Sequence, residues 1–184
     1  MEVKSTKFRD AFIFKPKIFE DSRGYFFESY NDKKFQKSGI KISFVQDNQS
    51  LSSYGTIRGL HYQLAPYSQA KLIRVLEGKI YDIIVDIRKG SPTFGEWMGI
   101  ELSDSNYLQL LVPHGFAHGF SVLSDKATIL YKCDNYYSPE HERGINYLDK
   151  TLNIDWKIPT KGAVVSAKDK VWPAFDKAEM NFKY

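Results

Sequence analysis

"KLIRVLEGKIYDIIVDIRKGSPTFGEWMGIELS", residues 71–103, holds three short apolar runs divided by Gly78 and by Gly90-Ser91-Pro92. Runs this short, rich in Val, Ile and Leu and closed by turn residues, read as β-strands, because an amphipathic helix needs apolar residues at every third or fourth position over a longer span. The same rhythm continues on both sides. "ISFVQDNQSLS" and "TIRGLHYQ" precede it; "YLQLLVP", "HGFSVLS" and "ATILYKCDNY" follow, with further breaks at Tyr54-Gly55 and Ser103-Asp104. Turn signals at intervals of about 8 to 12 residues predict an antiparallel sandwich or barrel, not alternating strands and helices.

"AFIFKPKIFED", residues 11–21, also alternates, but Pro16 has no N–H to give to a ladder and marks an edge or a bulge. "SYNDKKFQKSGI", residues 29–40, predicts the one clear short helix, with Asn31 or Asp32 as its N-cap and Gly39 as its stop. Beyond Pro139 the pattern weakens into loops, which are expected to fold back onto the barrel.

A chain of 184 residues suits a single domain spanning 1–184. Its 26% charged and 42% hydrophobic residues are those of an ordinary globular protein. The net charge of +4 is spread without the basic stripe of a nucleic-acid binder, so no nucleic-acid partner is expected. A small anionic substrate and plain solubility are equally compatible with it. The single cysteine, Cys133, excludes an intramolecular disulfide and a multi-cysteine zinc site, and fits a reducing cytoplasm. No apolar run reaches signal-peptide or membrane-spanning length, so neither export nor a membrane is expected.

Three of the four histidines, His61, His114 and His118, stand in two stretches full of glycine and aromatic residues. Histidine there serves as a proton carrier, as a metal ligand or as packing. A metal-binding barrel strand usually offers His-x-His, whereas here it reads His61-Tyr62-Gln63, short of the usual three protein ligands. Acid–base work needs instead a base, a proton donor and a group that holds negative charge. Strand parity puts Ile57, Gly59, His61 and Gln63 on one face and turns Arg58 away, unless Gly59 permits a bulge. Tyr131 shares a face with Ala127, Ile129 and Cys133, small or apolar neighbours that also suit a packed tyrosine. Lys71 shares a face with Ile73 and Val75, where a lysine is either functional or a strand end reaching solvent.

In order and spacing, "DSRGYFFE", "QDNQS", "GTIRGLHYQ", "KLIRV", "VDIRKGSPTFGEW", "VPHGFAHGF" and "YKCDNYYSP" resemble the dTDP-4-dehydrorhamnose 3,5-epimerase family, from about Phe12 to Pro173. The resemblance implies an all-β cupin or jelly-roll barrel with a few short peripheral helices, working as a homodimer without metal or cofactor. It implies conversion of dTDP-4-dehydro-6-deoxy-D-glucose to dTDP-4-dehydro-L-rhamnose. It assigns His61 as the base, Asp169 in "SAKD" as its orienting acid, Tyr131 as the proton donor and Lys71 as the enolate's partner. For binding it implies Arg23 and Arg58 at the diphosphate, Phe26 and Tyr137 against the thymine, Glu28 at the base edge, and Gln46, Asn48 and His118 at the sugar. "DSRGYFFE" is expected to reach across the dimer. "HYQLAPYSQAKL" is the loop expected to vary, which leaves sugar and nucleotide preference open. The alternatives are an enzyme for another nucleotide 4-ketosugar or for C3 alone, a carbohydrate-binding jelly roll without catalysis, and a metal cupin.

Overall fold

The computed structural model describes residues 1–184. In chain order its strands are β1 (Glu2–Ser5), β2 (Phe12–Lys15), β3 (Phe19–Asp21), β4 (Gly24–Phe26), β5 (Gln46–Ser53), β6 (Thr56–Gln63) and β7 (Lys71–Glu77). They continue with β8 (Lys79–Asp86), β9 (Trp97–Ser103), β10 (Gln109–Val112), β11 (Phe116–Val122), β12 (Lys126–Cys133), β13 (Glu142–Gly144) and β14 (Val164–Val165). Two short α-helices, α1 (Asp32–Lys37) and α2 (Ala167–Lys170), lie at the periphery.

One sheet runs β1-β2-β10-β7-β12-β5 and the other β13-β6-β11-β8-β9, with β14 added parallel to β6. β3 and β4 make a separate two-stranded hairpin. Between β5 and β12 the chain changes sheet at every connection except the β8–β9 hairpin, which gives a jelly roll. Because alternate residues of each strand point inward, both sheets feed one core. Ile73, Val75, Leu110 and Ile129 of the first sheet meet Ile80, Ile84, Phe116 and Phe120 of the second. Each such side chain contributes about 1.5–3 kcal/mol when fully buried.

The segment after Pro139 does fold back. Ile145, Leu152, Trp156, Met180 and Phe182 cover the outer face of the second sheet against Leu60, Tyr62, Ile83 and Val85. With both faces covered, β11 is buried at every position and shows no polar alternation. On the other side, Asn31 caps α1 by accepting from the Lys34 backbone N–H. Phe35 of α1 then stacks on Phe14 at 4.5 Å, closing the outer face of the first sheet. The run 11–21 is interrupted at Pro16 and yields two strands, β2 and β3.

Simple parity along β6 is overturned. His61 pairs with His118 but Arg58 pairs with Phe120, so three steps on β6 match two on β11. This bulge lies at Gly59–Leu60. Gly59 has φ +126°, and a Cβ there would sit 2.6 Å from the Cα of Gly119. Two glycines back to back let the strands pass this closely. In consequence Ile57 joins Leu60 and Tyr62 in the outer core, and Arg58 turns to the side that His61 occupies.

Candidate active site

The two sheets part at one end around a cleft of about 350 Å³ whose lining includes Gln46, Asn48, His61, Gln63, Lys71, Tyr131, Tyr137 and Glu142. A neighbouring depression of about 500 Å³ is lined by Arg58, Lys168 and Asp169 among others, and His61 borders both. Five strands, β5, β6, β7, β12 and β13, therefore each supply part of one surface.

His61 Nε2 lies 2.6 Å from Asp169 Oδ1, across 108 positions of sequence. The carboxylate is 3% exposed and its other oxygen accepts from the Gly59 backbone N–H at 3.2 Å. Ser166 caps α2 by accepting from the Asp169 N–H, which sets that residue's place. Burial pushes the Asp169 carboxyl up, but its hydrogen bonds to His61, Gly59 and Ser166 outweigh this and hold it below the usual range. An ionised Asp169 can only accept, so Nε2 carries the proton and Nδ1 is the basic nitrogen. The edge of Trp172 packs on the imidazole at 6.4 Å.

Tyr131 stands on β12 with Ala127, Ile129 and Cys133, as alternation along that strand predicts. Burial, helped by Cys133 and Glu142 against Arg58, pushes its phenol up, so it is a proton donor at neutral pH. Lys71, registered opposite Cys133, holds its ammonium 5.9 Å from the Tyr131 ring centre. Burial depresses that ammonium, while Cys133, Asp82 and Glu142 support its charge. His118 is buried beside His61 with Nε2 2.8 Å from Asp82 Oδ1. His114 lies apart, paired with Asp134 at 2.8 Å.

Polar groups hold the rim. Gln46 accepts from the Tyr137 N–H at 3.1 Å and donates to Asn48 at 3.1 Å. Arg58 donates to the Ser52 hydroxyl at 2.9 Å. Glu142 accepts from the Tyr137 hydroxyl at 2.5 Å and, on the same oxygen, from Lys168. That bond to Glu142, followed by burial, pushes the Tyr137 phenol up to about 12.

Sequence reasoning missed Asp82, Glu142 and Lys168. Asp82 had a signal, an acid inside the apolar run "KIYDIIVDI"; the other two lie in stretches with no useful period. Within one chain Arg23, Phe26 and Glu28 stay apart from this cleft. They belong to the β3–β4 hairpin and the turn after it, where Phe26 is 70% exposed, Arg23 pairs with Asp21 and Glu28 with Lys34.

A jelly roll that brings an imidazole and a phenol to one polar cleft has the fold and the groups of a class, the acid–base isomerases of the sugar-epimerase type. The model of the dTDP-4-dehydrorhamnose 3,5-epimerase family matches residues 5–177. This chain belongs to that family. The dTDP-4-dehydrorhamnose 3,5-epimerase of Shigella flexneri is 53% identical over 170 residues, 92% of this chain and 93% of that protein. The crystal structure of the enzyme of that name from Elizabethkingia anophelis superposes with a TM-score of 0.93 at 51% identity, covering 97% of this chain and 99% of the other. A 3,5-epimerase from Legionella pneumophila, in complex with dTDP-4-keto-L-rhamnose, gives a TM-score of 0.95 at 44% identity, covering 100% and 98%.

Proposed function

We propose that residues 1–184 form one epimerase domain that inverts C3 and C5 of dTDP-4-dehydro-6-deoxy-D-glucose, giving dTDP-4-dehydro-L-rhamnose. The observation that carries this reading is the convergence of the His61–Asp169 pair, Tyr131 and Lys71 on one cleft. C3 and C5 both flank the C4 ketone, so one apparatus serves both. His61 takes the proton from carbon, the C–H electron pair moves into the ring, and the C4 oxygen becomes an enolate oxyanion. Lys71 donates to that oxygen, a contribution of about 3 to 4 kcal/mol for one well-placed donor. Tyr131 returns a proton to the opposite face of the carbon and the centre is inverted. One proton leaves and one arrives, so the reaction balances without an oxidant or cofactor.

Gln46, Asn48 and His118 border the sugar, Arg58 and Lys168 neutralise the diphosphate, and Tyr137 lies against the base. An arginine suits this role because its planar fork bonds two phosphate oxygens together. Arg23, Phe26 and Glu28 complete the nucleotide site of a second copy in a homodimer, which accounts for an exposed hairpin with three aromatic residues, Phe19, Tyr25 and Phe26. The proposed location is the cytoplasm, where nucleotide sugars are made; no helix of the chain is long and apolar enough to cross a membrane.

Incubation with the substrate in deuterated water is expected to label both C3 and C5. Label at C3 alone would assign a single-centre epimerase, and no label would leave a binding protein. Tyr131→Phe is expected to keep part of the exchange on the His61 side while losing inversion.

A further inference from the structure

Asp82 is fully buried on β8, between Ile80 and Ile84, in the core shared by the two sheets. A carboxylate there is costly unless it is used. Its Oδ1 accepts from His118 Nε2 at 2.8 Å, yet its Oδ2 is buried with no hydrogen-bond partner, and neither lysine nor arginine forms an ion pair with it. Leaving a buried oxygen of a charged group unsatisfied costs about 1–3 kcal/mol or more, which calls for a functional reason.

The neighbours supply one. The Lys71 ammonium forms no ion pair either, although it is half-buried in the same interior. A carboxylate directly on Lys71 would occupy the donor positions that an oxyanion needs. A carboxylate one layer behind it, held on His118 instead, supports the positive charge and leaves those positions open.

Resting on the epimerase reading, we propose that Asp82 is a positioning residue: it fixes the orientation of His118 and supplies the counter-charge for the Lys71 ammonium without contacting it. Burial, together with Lys71 and His61, keeps the His118 ring neutral against the pull of Asp82. A neutral ring that donates Nε2–H to Asp82 leaves Nδ1 as an acceptor, suited to a sugar hydroxyl. The other groups around Lys71 are Cys133 and Tyr131 on β12, Glu142 on β13 and His61 on β6, with Arg58 acting on Tyr131. The one other carboxylate among them, Glu142, is itself paired with Lys168, whereas Asp82 pairs with no lysine or arginine.

Asp82→Asn keeps the size and the acceptor for His118 and removes only the charge. The Lys71 ammonium should then lose its proton at lower pH, so kcat at about pH 8.5 falls at least about tenfold, with a smaller loss at about pH 6.5 and little change in KM. In a Lys71→Arg background the same change should cost no more at high pH than at low, since a guanidinium stays charged. A loss equal at all pH values, or one that stays larger at high pH with Arg at 71, overturns the proposal and leaves Asp82 a structural residue. A second readout needs no activity: the carbon-13 resonance of Lys71 Cε, followed without substrate, should titrate at lower pH in Asp82→Asn than in the parent. Identical titrations overturn the counter-charge. Absence of any sugar exchange in the parent protein would count against the epimerase reading alone.

Discussion

At the scale of single residues, one buried carboxylate decides what a partly exposed histidine is. His61 would be an unremarkable core histidine without Asp169; with it, the proton has one place to sit and the other nitrogen becomes a base. Asp169→Asn keeps the volume and loses the charge that selects this tautomer. The expected result is a fall in kcat of about 10²- to 10⁴-fold with KM nearly unchanged, measured by the rate of deuterium entry at C3 and C5. His61 and Lys71 stand out of their strands' patterns, a histidine sharing a face with Gln63 and a lysine on an apolar face, but the pattern left each open between packing and chemistry and the family resemblance gave them roles. Asp169 does not stand out at all, since a four-residue helix in an irregular tail carries no period, and only the family resemblance pointed to it.

At the scale of elements, the β6–β11 ladder sets the geometry of the cleft. A slip of one residue on a strand exchanges its two faces, and the bulge at Gly59 performs that exchange between Ile57 and His61. A Cβ on Gly119 would meet the Arg58 carbonyl oxygen at 2.8 Å and Gly59 Cα at 3.2 Å. Gly119→Ala is therefore expected to cost about 1–3 kcal/mol, seen in chemical denaturation. Because the displaced backbone carries both Arg58 and His118, activity should fall further than stability accounts for. The helix within residues 29–40, formed as α1 (Asp32–Lys37), and the strands of the core followed from local spacing and cap residues; the bulge did not, because nothing in a single strand records how closely its neighbour passes.

At the scale of the whole molecule, two consequences follow. If two copies share each site, a dimer of His61→Ala with Glu28→Ala has one site carrying both lesions and one intact. Co-expression of the two inactive variants is then expected to restore about a quarter of parent activity, half the dimers being mixed and half their sites whole. No restoration would overturn the shared site, and a Glu28→Ala variant active on its own would place the hairpin outside the site. The second consequence concerns acid. Burial pushes the Asp86 carboxyl up, but hydrogen bonds from Arg88, Ser91 and Thr93 outweigh it and hold it below its usual 3.8. A depressed carboxyl contributes stability that is complete above its unfolded value and is lost as pH falls through the folded one. Asp169 behaves alike. The melting temperature should drop steeply below about pH 4, and Asp86→Asn should lower it at neutral pH while flattening that slope.

By itself the sequence determined the antiparallel β class, the short helix and the inward set of β12, because these depend on spacing between near neighbours and local periodicity records it. Periodicity left His61, Lys71 and Tyr131 open between packing and chemistry, and the family resemblance singled them out. Only the tertiary structure decided that Arg58 and His61 share a side, that Asp82 accepts from His118 in the core, and that Glu142 ties Tyr137 to Lys168. Those facts depend on which strands lie side by side and in what register, and contacts between distant parts of a chain leave no period along it.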